Sequence, residues 1–314
     1  MNATTSPHPS RLAGRSLVTP TDLSGDEIGE ILRLARTFKR SPSVPQYLKG
    51  VAVGLLFEQP STRTRVSFDV GVAQLGGHPV VLSGSELQLS RGESPEDTAR
   101  VLSRYLGGIV ARTVRQETLE RLAGAAGVPV INALTDRFHP CQVLADLMTV
   151  EEAFGRLEGI TLAYVGDGNN MTHTWLEMGP AVGMRVVVST PPGFGPDPEV
   201  AAAARAAHPD RVDFVEDPRA AVRGAHVVYT DTFFSMAQAP DPDKARALAP
   251  YRVTRELMAH AEPGARFMHC LPAHRGEEVD ADVIDSAASL VFEEAENRLH
   301  AQKAVLAALV GNWR

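Results

Sequence analysis

Cysteine is scarce: only Cys141 and Cys270 occur in 314 residues, far apart and without paired spacing. That spacing excludes a disulfide framework and a zinc knuckle, and it fits a reducing cytoplasm. No run of about 18 apolar residues occurs, so no membrane-spanning helix is expected. An excess of positive charge is also missing. Lys and Arg total 31 against 38 Asp and Glu, a net charge of −7, with a pI near 5.8. A nucleic-acid surface needs a basic stripe, so nucleic acid is excluded as a partner, although a local basic pocket is not. The opening "MNATTSPHPSRLAGRS" has no apolar stretch of signal-peptide length. A Walker A loop, an internal repeat and a low-complexity tract are absent too. The expectation is a soluble intracellular globular protein.

What is present is an alternation. Apolar strand-like runs lie at 51–57, 79–82, 107–112 and 128–134, then at 160–168, 185–190, 212–217, 226–231, 265–271 and 289–292. Helical stretches separate them at 95–106, 115–125, 139–153, 170–182, 197–207 and 295–310. An earlier helix follows Ser24, with Glu27 three residues on as a capping box. Continuous apolar strands separated by helices predict doubly wound parallel sheets covered on both faces. Four strands before residue 135 and about six after it predict two α/β domains, with the helix near His139 as the bridge.

Ligands in such sheets bind beyond the carboxyl ends of the strands. Polar, reactive residue types collect there repeatedly, and one cleft would account for them all. After the first strand comes "STRTR". A helix starting near Arg63 presents free N–H groups and a positive dipole end. Ser61, Thr62 and Thr64 add hydroxyls, and Arg63 and Arg65 can fork onto phosphate oxygens. The plainer reading is a capped helix with surface arginines. Arg112 ends the third strand, and "HPCQ" brings His139 and Gln142 to a helix start. "GDGNN" offers Gly166 and Gly168 as a dinucleotide signal. Met171 occupies the third glycine position, however, and the next strand ends without an acidic residue for ribose. Cys270 ends one strand and Asp231 another, so the two could lie together; an inert buried cysteine is the alternative.

Taken together, "STRTR", "HPCQ", "GDGNN", "DTFFSMAQ", "HCLPAHRGEE" and "FEEAENRLHAQKA" resemble the ornithine carbamoyltransferases, within the aspartate/ornithine transcarbamoylase family. The resemblance runs from about residue 15 to the end. It implies a carbamoyl-phosphate-binding domain over 1–137, completed by a C-terminal helix (294–314) that packs back on it. It implies an ornithine-binding domain over 138–293, interdomain helices, and a homotrimer with active sites at subunit interfaces. Ser61, Thr62, Arg63, Thr64, Arg112, His139, Gln142, Cys270, Leu271 and Arg298 would bind carbamoyl phosphate, with Gln88 reaching in from a neighbouring subunit. Asn170, Asp231, Ser235 and Met236 would bind ornithine, and Arg112, His139, Cys270 and Asp231 would take part in the chemistry. Departures fall on the amine side: Ala237 stands where the family loop carries glycine, and Trp175 and Glu177 follow Asn170.

The implied reaction is attack of the ornithine δ-amine on a carbamoyl carbon, through a tetrahedral oxyanion, with loss of phosphate. Arginine, imidazole and hydroxyl donors suit that oxyanion. No metal or cofactor is expected. A sister enzyme acting on putrescine, lysine or an acylated ornithine is the alternative reading, and a nucleotide-binding oxidoreductase is a third.

Overall fold

The alternation of strand and helix folds into two parallel sheets in a computed structural model that describes residues 11–41, 43–84, 87–234 and 241–312. The chain forms two units: Met1–Asp136 with Arg298–Arg314, and Arg137–Asn297. In the first, β1 (Ala52–Phe57), β2 (His78–Ser83), β3 (Gly108–Arg112) and β4 (Val130–Leu134) are ordered β2-β1-β3-β4. In the second, β5 (Thr161–Val165), β6 (Arg185–Ser189), β7 (Val212–Phe214), β8 (Val227–Tyr229) and β9 (Arg266–Met268) are ordered β7-β6-β5-β8-β9. All the pairings are parallel.

Each sheet has its own apolar core. In the first unit, Leu56, Ile109, Ala111 and Val130 pack with Leu119 and Leu122 of the helix Gln116–Ala125. In the second, Ala163, Val165, Val228 and Phe267 pack with Leu248, Val253, Val283 and Ile284. The capping box forms at the helix Gly25–Arg40: Ser24 N–H donates to Glu27 Oε2 at 2.8 Å, and Glu27 N–H donates to Ser24 Oγ at 3.4 Å. That reciprocal bond and the partner Arg15 hold the Glu27 carboxyl below the usual range.

Both sheets reverse winding direction once, the first between β1 and β3 and the second between β5 and β8. Such switch points leave a crevice beyond the strand ends. One strand expected from sequence is not there. Ser289 makes an isolated bridge to Phe267, and the helix Val291–Val310 begins within "SLVF". The physical reason is that the Leu290 carbonyl already accepts from Glu294 N at 2.8 Å, so the chain is coiling where apolarity suggested extension. The second sheet has five strands, one fewer than expected.

Candidate active site

In the first unit the register pairs Phe57, ending β1, with Arg112, ending β3. The backbone turns there, with Glu58 N–H donating to the Arg112 carbonyl at 3.0 Å. The helix Thr62–Gln74 then starts from Ser61, whose backbone is extended and whose side chain makes no capping bond. No acidic residue occupies the first turn, so the positive helix end keeps its pull on an anion. Thr62, Arg63 and Arg65 are exposed there, and Thr64 is buried.

Two guanidinium groups converge on that buried hydroxyl. Arg298 Nη2 donates to Thr64 Oγ1 at 3.0 Å, and Arg112 Nη1 approaches it at 3.5 Å. Arg298 is itself held by Gln302, one helical turn on. With the Gln302 amide oriented to satisfy its partners, its oxygen accepts from Arg298 Nη2 and Nε at 3.0 Å each. Its nitrogen then donates to Ser67 Oγ at 2.6 Å. Ser67 in turn donates to the Arg63 carbonyl at 2.7 Å, back at the helix start. Gln302 was missed in sequence, although its spacing from Arg298 puts both on one helix face. Gln88 opens a short 3₁₀ turn, Gln88–Arg91, and is exposed.

In the second unit the order β5-β8-β9 brings three strand ends side by side. Asp231 follows β8, Cys270 follows β9, and Asn169 and Asn170 follow β5. Cys270 Sγ donates to Asp231 Oδ1 at 3.0 Å, and Asn169 Nδ2 donates to Asp231 Oδ2 at 2.7 Å. Burial first, then the Asp231 carboxylate, pushes the Cys270 thiol well above its ordinary value, so it is a proton donor at neutral pH. Asn169 is the second residue that sequence reading missed. It caps the helix Asn170–Ala181, its Oδ1 accepting from Met171 N at 2.9 Å, and its position before the helix was the available signal. Ser235, Met236 and Ala237 lie outside the described residues.

His139 caps the helix Pro140–Phe154 by position, its N–H donating to Thr174 Oγ1 at 2.8 Å. Gln142 Nε2 donates to Asp146 Oδ1 at 2.7 Å and stands 3.2 Å from Glu294 Oε1. After β9, Leu271 takes φ 58°, uncommon for a branched side chain. Its N–H donates to His269 Nδ1 at 2.8 Å, so the His269 proton sits on Nε2, which faces Glu278 Oε1 at 3.2 Å.

Three observations add to the sequence reading. Trp175 is fully buried, edge-on to Tyr229 at 5.6 Å, and belongs to the core rather than to the amine side. Gly168 is required by packing: a Cβ there would lie 2.1 Å from the Gly195 carbonyl carbon, which explains the glycine without a pyrophosphate. His269 joins Asp231 and Cys270 in a group whose ligating atoms lie within 4.8 Å of one another, which linear spacing did not reveal. Each of these atoms already has a protein partner, so a cation would have to displace those bonds.

Fold and residues define a two-unit α/β protein with two guanidinium groups meeting a buried hydroxyl at a helix start in one unit and a carboxylate–thiol cluster in the other. The family model described as the carbamoyl-P binding domain of aspartate/ornithine carbamoyltransferase matches residues 15–152, and the Asp/Orn binding domain model matches 158–309. Ornithine carbamoyltransferase from Symbiobacterium thermophilum is 52% identical over 306 residues, covering 95% of this chain and 99% of that one. The enzyme of that name from Thermococcus kodakarensis is 48% identical, over 96% and 98%. The solved ornithine carbamoyltransferase of Pyrococcus furiosus superposes with a TM-score of 0.92 at 47% identity, covering 96% of this chain and 99% of that one. The chain belongs to the aspartate/ornithine carbamoyltransferase family.

Proposed function

We propose that the protein transfers the carbamoyl group of carbamoyl phosphate to the δ-amine of L-ornithine, releasing L-citrulline and phosphate, in arginine metabolism. The observation that carries this reading is the convergence of Arg112 and Arg298 on Thr64 at an exposed helix start without acidic residues. In this reading Ser61, Thr62, Arg63 and Thr64 hold the phosphate. Arg112, His139 and Thr64 polarise the carbamoyl oxygen, with Gln142, Leu271 and Arg298 completing the contacts.

The amine nitrogen attacks the carbamoyl carbon and a C–N bond forms. The carbonyl electron pair moves to oxygen, where cationic and hydrogen-bond donors stabilise it. It then returns to re-form the carbonyl as the C–O bond to phosphate breaks, phosphate leaves with the electrons of that broken bond, and the nitrogen loses its proton. A free alkylamine titrates near ~10.4, so about 0.1% is neutral at pH 7.4 and the protein must select or make that form. Asp231 suits a cationic amino acid, whereas the extra carboxylate of aspartate would meet repulsion there. Asn170, Ser235 and Met236 complete the amino-acid contacts.

Because the Cys270 thiol is a donor to Asp231, the carboxylate rather than the sulfur is the better acceptor for the departing proton. The assembly belonging to this reading is a cytoplasmic homotrimer in which Gln88 serves a neighbouring subunit. The test is citrulline formation from carbamoyl phosphate and L-ornithine by the purified protein. An active protein supports the reading, and phosphate release without citrulline contradicts it.

A further inference from the structure

Within the first unit, the helix Thr62–Gln74 packs against the part of Val291–Val310 that runs from Arg298 onward. Thr64, Ser67, Gly71 and Gln74 recur at helical spacing and line one face. Gly71 leaves room for a close approach: a Cβ there would lie 3.3 Å from Lys303 Cγ and 3.8 Å from Leu299 Cδ1. Polar ties flank that glycine on both sides. Arg298 Nη2 donates to Thr64 Oγ1 at 3.0 Å, Gln302 meets Ser67 Oγ at 2.6 Å, and Lys303 Nζ donates to Gln74 Oε1 at 2.8 Å.

Gln302 is the middle tie and is fully buried. Its neighbours call for a carboxamide. Arg298 offers only N–H donors, and its Nη2 and Nε both reach the Gln302 oxygen at 3.0 Å. Ser67 has one hydroxyl proton, which it donates to the Arg63 carbonyl at 2.7 Å, so toward residue 302 it is an acceptor. A carboxylate would give Ser67 no donor, and an apolar side chain would satisfy neither neighbour. Two N–H groups on one oxygen fix the plane of the guanidinium. With one Nη2 hydrogen on Gln302, the other is directed to Thr64.

We propose that Gln302 is a positioning residue that clamps the Arg298 guanidinium to the first turns of the helix Thr62–Gln74, so that Arg298 and Thr64 meet a phosphorylated substrate as one preset unit. This inference rests on the proposed carbamoyl transfer for the identity of that substrate, carbamoyl phosphate. The clamp itself is a property of the seam between the two helices. Gln302 acts through Arg298 and touches no substrate. Without it, each incoming ligand must order a long side chain, and that ordering costs affinity.

The experiment is a double-mutant cycle read in kcat/KM for carbamoyl phosphate, together with calorimetric titration of the same proteins with inorganic phosphate. Gln302→Met keeps the length of the side chain and loses its bonds. It should weaken phosphate binding and lower kcat/KM for carbamoyl phosphate by about 10-fold, the lower end for a hydrogen bond to a charged group. KM for ornithine should not move. In an Arg298→Met background the same substitution should cost little more, because Gln302 acts through that guanidinium. Ser67→Ala should give a smaller loss of the same kind, and none once residue 302 is Met.

Equal losses from Gln302→Met with and without Arg298, or an unchanged phosphate affinity, overturn the proposal. If Gln302→Met fails to fold, Ser67→Ala decides: weaker phosphate binding supports the clamp, and unchanged binding overturns it. A wild-type protein that forms no citrulline, yet binds phosphate and loses affinity in Gln302→Met, overturns the substrate assignment and leaves the clamp standing. A wild-type protein that binds no phosphate overturns both.

Discussion

The Cys270 thiol donates to Asp231 Oδ1 at 3.0 Å, linking two neighbouring strand ends across 39 residues of sequence. Burial first, and then the negative charge of the carboxylate that accepts this hydrogen bond, keep the sulfur from ionising. Alkylation by iodoacetamide at neutral pH should therefore be slow at Cys270 in wild type and faster in Asp231→Asn, which removes the negative charge. Cys141 is fully buried and does not compete in the folded protein. Equal rates in the two proteins would show that Asp231 does not control the thiol.

Arg112 and Arg298 meet at Thr64, and Arg63 stands exposed at the same helix start. Replacing Arg63 or Arg112 with Ala should lower kcat/KM by about 10³-fold, roughly 4 kcal/mol of transition-state stabilisation, with unchanged circular dichroism. Arg63→Lys should recover little, because a point charge does not reproduce a planar fork. Near-normal turnover by Arg63→Ala would reduce "STRTR" to a helix start.

Glu294 carries a pH signature of its own. Its folded carboxyl titrates above the ordinary 4.5, so the folded protein holds a proton that the unfolded chain has released. The linkage sign follows: above the unfolded value, wild-type stability falls as pH rises toward the folded value. Glu294→Gln has no such proton. Urea midpoints measured from pH 4.5 to 7.5 should therefore decline less with pH in Glu294→Gln than in wild type. Parallel curves would place the buried proton elsewhere.

Much of this arrangement was legible beforehand. Strand ends carry the chemistry in parallel sheets, so Thr64, Arg112, Asp231 and Cys270 could be chosen from position and residue type alone. The buried polar residues around them were harder to see. Asp146, Glu294 and Gln302 look like ordinary polar residues on helices, and only tertiary packing shows that they are buried. The run at 289–292 misled because four residues are too few to separate a short strand from a helix start. Trp175 misled for the opposite reason: its place beside a binding motif drew attention from its position in the core.

Gln88 tests whether the site is shared between subunits, as the proposed homotrimer requires. It is exposed on its 3₁₀ turn, where it could serve a neighbouring subunit. If Gln88→Ala and Arg63→Ala are each inactive, co-refolded mixtures of equal parts should regain about a quarter of the wild-type rate. Each intact site needs one protomer with Arg63 and a cyclic neighbour with Gln88, each present half the time. Full activity of Gln88→Ala alone, or no recovery in verified mixed trimers, would confine the site to one chain.

The central claim is that the acceptor is L-ornithine, and an amine panel measures it most directly. Citrulline formation from ornithine should be compared with the corresponding ureido products from putrescine, lysine and N-acetylornithine under matched carbamoyl phosphate. A site built around the α-ammonium and α-carboxylate rejects ligands that leave its polar groups unpaired, so ornithine should lead by at least ~10²-fold in kcat/KM. Comparable rates with putrescine would contradict the ornithine assignment and leave carbamoyl transfer standing.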